Sequence, residues 1–513
     1  MRKLLVTLAV LSVIALPVAG CGDDGQGASS ALELVPAGSS VYGEVTIKPE
    51  GDQKEQVDAL LSKFPGGDNA GATLKDLVER AFRESDAPIS FKDDIEPWLG
   101  DDAAFFVSDL NPQANAAAAA ALIATDDEDQ AESALEKFAE GKITRKTYKD
   151  VEYITDESEG SGAAGAVFDS FVVIGTELGV KAAIDASKGG EKLSDDEAYK
   201  RAVAEATDDR LGLIYVNAGQ LFGSLPAAGL PGLEGLKKAE PFVATFDVDD
   251  DGVLVEADVS EQVAKSLGTI GGSASELLTD LPSGSWFAAA QGNVGETVDG
   301  IVDSLAQYLG GREVIERQFR IATGLDLQKD VVAWMEDLAI FARGSTLDDL
   351  DGALIVETSD EAASGRLIAA LARIARQQAD NPGDSVGPFS APGGGEGYTL
   401  RSPDIPKPVH LFQRSGRVVL AYGDAAARDA IDPGEKLGGS PDFTAARDSL
   451  GSDYELSLFV QVKPILDLVD STDVGSDADW QEAKPYLEPL SALVAGSADE
   501  GDHVRSAFKL VVK

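Results

Sequence analysis

The fold turns on two segments, FKDDIEPWLGDDAAFFV at 91–107 and LQKDVVAWMEDLAIFAR at 327–343. Laid over one another without a gap, they match Asp94 to Asp330, Trp98 to Trp334, Asp101 to Asp337, Ala103 to Ala339 and Phe105 to Phe341. Chance would give about one such match at ordinary residue frequencies. The likeness continues downstream. ALIATDDEDQAESAL at 121–135 lies over ALIVETSDEAASGRL at 353–367, KLSDDEAY at 192–199 over KLGGSPDF at 436–443, and LGLIYVNAGQLF at 211–222 over ELSLFVQVKPIL at 455–466. The order is the same in both halves, so the period is one domain long. The expected copies run 32–263 and 278–513, joined by a Gly- and Ser-containing stretch around Gly268–Ser275.

Within the first copy, hydrophobic periodicity predicts a strand at 41–47, helices at 53–63 and 73–84, and strands near 103–108 and 120–125. A helix at 128–140, strands at 143–148, 151–155 and 166–175, helices at 177–187 and 195–206, a strand at 211–216 and a hairpin at 242–260 follow. Strands joined by short turns imply a mostly antiparallel sheet with helices on one face, an α+β fold. The alanine run Ala114–Ala121 reads as a helical or packing element.

The chain has 513 residues and one cysteine, Cys21, which excludes an intramolecular disulfide and a thiolate metal cluster. Arg2, Lys3 and the short apolar run Leu4–Leu16 have the form of a signal peptide over 1–20. Val18-Ala19-Gly20-Cys21 resembles a bacterial lipobox, in which the cysteine thiol receives a diacylglyceryl group and becomes the mature N terminus. Residues 21–31 then form a flexible tether. The expected location is the outer face of the cytoplasmic membrane. A formal charge of −46 argues against nucleic acid as a partner, because it repels phosphate backbones. The expected partners are the membrane, through Cys21, with envelope proteins or a lipid ligand.

Asp247, Asp249, Asp251 and Gly252 satisfy the D-x-D-x-D-G rule of calcium loops, with Asp258 in the twelfth position. The flanks FVATF and VLVEADV alternate like strands, however, where a calcium loop of this kind needs helices. A hairpin turn is the expected reading, calcium the alternative cofactor. Trp98 and Trp334 are expected to pack between helix and sheet, with ligand stacking as the alternative if both rings are accessible. His410 and His503 are the only histidines, and no hydrolase signature ties a Ser-Asp pair to either. Ser506-Ala507-Phe508-Lys509 spells S-x-x-K in a predicted strand, where the two side chains would not share a helical face. No catalytic residue is assigned, and a non-enzymatic role is expected.

The lipobox, ALELVPAGSSVYGEV starting at Ala31, the segment 91–107 and the two-copy layout resemble the bacterial lipoproteins grouped as domain of unknown function 3352. The resemblance implies an exported, membrane-associated protein of a kind common in high-GC Gram-positive bacteria. It implies no reaction. A binding or interaction module of the envelope is the expected function. The alternatives are a transport-associated lipid- or solute-binding lipoprotein and a carboxylate-dependent hydrolase of envelope polymers.

Overall fold

The computed structural model describes residues 30–67, 89–111, 116–138, 143–156, 162–204, 210–223, 236–260, 275–379, 382–391, 393–501 and 503–513, with a few single positions between them. Val18, Ala19, Gly20 and Cys21 lie outside the described residues. The chain forms two compact units, residues 1–226 with 236–258 and residues 227–235 with 259–513.

Unit 1 is built on strands β1 (Val41–Thr46), β2 (Leu99–Asn111), β3 (Ala116–Thr125), β4 (Ile143–Tyr148), β5 (Val151–Asp156), β6 (Ala163–Phe168), β7 (Phe171–Thr176), β8 (Gly212–Val216), β9 (Phe242–Asp249) and β10 (Gly252–Ser260). They pair in the order β4-β5-β6-β7-β3-β2-β1-β8-β9-β10, antiparallel throughout. Unit 2 uses β11 (Phe287–Gln291), β12 (Met335–Arg343), β13 (Asp351–Thr358), β14 (Ser385–Ser390), β15 (Glu396–Ser402), β16 (Ile405–Arg414), β17 (Arg417–Tyr422), β18 (Glu455–Gln461), β19 (Leu490–Asp499) and β20 (His503–Val512). Their order is β14-β15-β16-β17-β13-β12-β11-β18-β19-β20, again antiparallel. The two units therefore share one topology, strand for strand, and the class is α+β.

Strand pairing supplies a residue correspondence independent of sequence matching. Tyr215 pairs with Tyr42 as Phe459 pairs with Ala288, which keeps 211–222 over 455–466 in register. The opening pair of segments does not stay in register. A bulge separates Leu99 from Ala103 in β2, and a bulge one residue shorter separates Met335 from Leu338 in β12. Beyond it Tyr42 pairs with Phe106, whereas Ala288 pairs with Phe341. Phe106, not Phe105, is thus the counterpart of Phe341. Burial agrees, since Phe106 and Phe341 are each 1% exposed and Phe105 is 36% exposed. The same slip carries into β3, where Leu122 opposes Ala104 as Ile355 opposes Ala339.

Helices cover more of the sheet than the expected single face. Leu122 and Val173 cluster with Val180, Ala183 and Ile184 of the helix Glu177–Ser187. Their strand neighbours Ile123 and Val172 cluster instead with Ala131 and Ala134 of the helix Glu128–Phe138 and with Trp98. Adjacent residues of a strand point to opposite faces, so apolar strands buried on both sides take a helix on each. From Ala116 on, the alanine run is a strand, β3, against its helical propensity. A Cβ on Gly175 or Gly179 would come within 2.1 and 2.2 Å of the Ala119 carbonyl oxygen, so small residues on both partners let helix and strand meet. The stretch 166–175 is divided by a turn at Asp169 and Ser170, both with positive φ, into β6 and β7.

Candidate functional site

The most similar segments of the two units build the same packing device. Ser90 caps the turn Phe91–Ile95 by accepting from Asp93 N, as Asp326 caps Leu327–Asp330 by accepting from Lys329 N. Asp94 accepts from Ser90 N at 2.8 Å and from Lys137 Nζ at 2.7 Å. Asp330 accepts from Asp326 N at 2.8 Å and from Arg366 Nη2 at 2.6 Å. Burial pushes the Asp94 carboxyl up, but its Lys137 and Ser90 hydrogen bonds prevail and hold it below the usual carboxylate range. Asp330 is held low by its Asp326 N–H and by Arg366. The indole N–H of Trp98 donates to Asp94 O at 2.5 Å and that of Trp334 to Asp330 O at 2.8 Å. Both rings are buried and their only polar atom is bonded to backbone, which leaves no face for ligand stacking.

Asp247, Asp249 and Asp251 lie at the end of the β9–β10 hairpin, whose register pairs Gly252 with Asp249. Asp249 accepts from Asp251 N at 2.9 Å, an ordinary aspartate turn. Asp258 pairs with Val243 far along the strand, about 20 Å from the turn at the usual rise per residue. The structure therefore does not bring the four carboxylates together. Among the described residues, no group of three or more acidic, histidine or cysteine side chains is placed to hold a metal ion.

Two constellations escape sequence reading because their members are far apart in the chain. In unit 1, Glu44 accepts from Tyr42 Oη at 2.6 Å and pairs with Arg210 Nη2 at 3.0 Å. Tyr199 stands edge-on to Tyr215, with ring centroids 5.2 Å apart. Burial, with the charges of Asp101 and Glu44 adding to it, pushes the nearby Asp102 carboxyl up to about 6. In unit 2 the corresponding positions are Ala288, Ala290 and the edge-on pair Phe443–Phe459, centroids 5.3 Å apart. In unit 2, His410 is buried against Phe389, with Nδ1 2.9 Å from Thr399 Oγ1 and Nε2 2.9 Å from Asp424 Oδ1. Burial lowers its basicity against the opposing pull of Asp424. Thr399 lies mid-strand in the sheet beside the ring, so the trio anchors the helix Asp424–Asp429 and offers no open nucleophile.

A depression of about 530 Å³ in unit 2 is lined by Ser283, Lys436, Ser440 and Asp442 among others. Its polar groups already serve structure: Ser440 caps the helix Pro441–Leu450 and Lys436 pairs with Asp280 at 2.6 Å.

The remaining feature is a surface. The helix Val294–Leu309 buries Val302 and Ala306 and turns Ile301, Leu305, Tyr308 and Leu309 outward, each 47–57% exposed. Gly310 and Gly311, both at positive φ, reverse the chain into a second helix, Arg312–Thr323, whose Ile321 is 79% exposed. Arg312 locks the hairpin through Asp299, through Asp303 at 2.6 Å and through Glu316 at 2.9 Å. These bonds raise its already high pKa further.

No curated protein matches the chain. A solved structure described as "Structure of crystal form I of TP0453" is similar over 48% of this chain and 90% of that one, at 9% identity and a TM-score of 0.25. That likeness is too slight to extend the description of the fold. A family match runs over residues 5–386, through unit 1 and into β14 of unit 2. The chain belongs to the family described as "Protein of unknown function (DUF3352)".

Proposed function

We propose that the chain is a non-catalytic binding module of the cell envelope, held on the outer face of the cytoplasmic membrane by a diacylglyceryl group on Cys21. The anchor reading rests on the lipobox residues Val18, Ala19, Gly20 and Cys21 behind a signal-like segment. The binding reading rests on the apolar outer face of the helix Val294–Leu309, since contiguous exposed apolar surface marks interaction sites. Metabolic labelling with a palmitate analogue tests the anchor. Label is expected on the wild type and absent from Cys21→Ser; an unlabelled wild type, or equal label on both, overturns it.

One observation favours a second reading, a carboxylate-dependent hydrolase of envelope polymers. Asp102 has a raised pKa beside Glu44, as a general acid would need. Glu44 is already committed to Arg210 and Tyr42, which weighs against a free partner carboxylate. Loss of polymer hydrolysis in Asp102→Asn would decide for this reading.

A further inference from the structure

We propose that the helical hairpin Val294–Thr323 is a membrane-contact surface, with Ile301, Leu305, Tyr308 and Leu309 seated at the boundary between lipid headgroups and acyl chains. The inference rests on the Cys21 anchor for its choice of occupant.

The spacing of these residues at i, i+4, i+7 and i+8 places them on one stripe of the helix, about a quarter turn round from the stripe that Val302 and Ala306 bury. A helix that spends one apolar stripe on its own core and leaves a second in water pays a solvation cost unless something covers it. The described residues begin at Ser30, nine positions after Cys21. Nine residues reach at most about 30 Å even when fully extended. An anchored chain therefore meets the bilayer at a far higher effective concentration than any diffusing partner.

Charge is the main obstacle, since a chain of net charge −46 is repelled by anionic headgroups. The hairpin reduces that obstacle only slightly, since five carboxylates stand against three arginines over 294–323. Asp299, Asp303 and Glu316 are all paired with Arg312, and the exposed Arg317 adds a cation on the second helix. Tyr308 supplies an amphipathic ring of the kind that settles at the headgroup level. A diacylglyceryl group brings two acyl chains and holds the chain at the bilayer, where a shallow amphipathic helix is a natural second contact. Its attraction is apolar, so it favours zwitterionic lipid at least as much as anionic lipid.

The test is flotation of the chain from Gly22 to Lys513, which carries no acyl group, with phosphatidylcholine vesicles and with vesicles containing phosphatidylglycerol. The chain is expected to float with phosphatidylcholine vesicles, with little change between low and high salt. The triple variant Ile301→Ser, Leu305→Ser, Tyr308→Ser should lose at least tenfold in bound fraction. These positions are exposed, so an unchanged melting temperature will show that the variant is folded. The proposal is overturned if the parent chain stays unbound with both vesicle types, or if the triple variant floats equally well. Self-association abolished by the triple variant, without vesicle binding, would overturn it in favour of a second copy as the occupant. Without an acyl group in the assay, failure here leaves the Cys21 reading standing, and failed labelling of Cys21 leaves the flotation result standing.

Discussion

The helix that follows the first strand differs between the two units in what it shows to water. In unit 1 the helix Gly51–Ser62 buries Val57 and Leu60 and exposes Asp52, Glu55, Ala59 and Ser62. In unit 2 its positional counterpart Val294–Leu309 exposes Ile301, Leu305, Tyr308 and Leu309. The sheet and the helix packed on it differ in the opposite sense: where unit 1 carries Tyr42, Glu44, Tyr199 and Tyr215, unit 2 carries Ala288, Ala290, Phe443 and Phe459. What the units share is packing and capping. What distinguishes them is a polar cluster in one and an apolar outer face in the other, and those differences are where specific function belongs.

The strongest way to break this contrast is to attack what is shared. Trp98→Ala and Trp334→Ala should each cost about 3–5 kcal/mol, the usual range for emptying a buried indole site. Calorimetry should show comparable losses in the two variants. If one unit tolerates the change, the shared motif is not an equivalent packing device in both.

Next in size is Asp102→Asn, which probes the polar cluster of unit 1. A carboxyl held at about 6 when folded, against an ordinary value of 3.8, binds more protons in the folded state between those values. Its ionisation therefore costs stability as pH rises through that window, and the wild type gains stability on acidification from neutral towards pH 4. The asparagine variant should be up to about 3 kcal/mol more stable at pH 7, from a shift of about two units, with the gain fading towards pH 4. Asp337→Asn, at the matching bulge of unit 2, should change little. Denaturant melts at the two pH values decide this.

His410 should give a smaller effect of opposite sign. Its folded-state pKa is depressed by burial, so the unfolded chain takes up the proton first as pH falls below about 6.5. Unit 2 should lose stability on acidification from that point. His410→Gln, which keeps a polar partner for Thr399, should flatten the loss; an unchanged pH profile would remove His410 from the explanation.

The smallest expected effect is on calcium. Millimolar calcium should leave the melting temperature unmoved, because Asp258 is remote from the hairpin turn that holds Asp249 and Asp251. A calcium-dependent rise that Asp249→Asn abolishes would revive the loop reading.

Sequence reading located the elements better than their contacts. The segments 192–199 and 211–222 keep register with 436–443 and 455–466, since the first pair is a short 3-10 turn running into a helix, the second a short strand running into one, and neither carries an insertion. The opening alignment slipped at Gly100–Asp102, because a one-residue difference in bulge size leaves a gapless match of Trp98 to Trp334 intact while shifting Phe105 off Phe341. The strand expected at 120–125 stands, but the alanine run before it misled by propensity, which lost from Ala116 on to close helix–strand approach at Gly175 and Gly179. The Glu44–Arg210 and His410–Asp424 contacts join elements that only the sheet order brings together. The outward face of Val294–Leu309 was hidden for another reason: an apolar residue in a helix shows its periodicity but not which stripe is covered.

The most direct measurement is hydrogen exchange of the chain from Gly22 to Lys513 with and without phosphatidylcholine vesicles, read on the two counterpart helices. Amides of 294–309 should become protected in the presence of lipid while those of 51–62 remain unchanged. Equal protection of both helices, or protection of neither, would contradict the division of roles between the units.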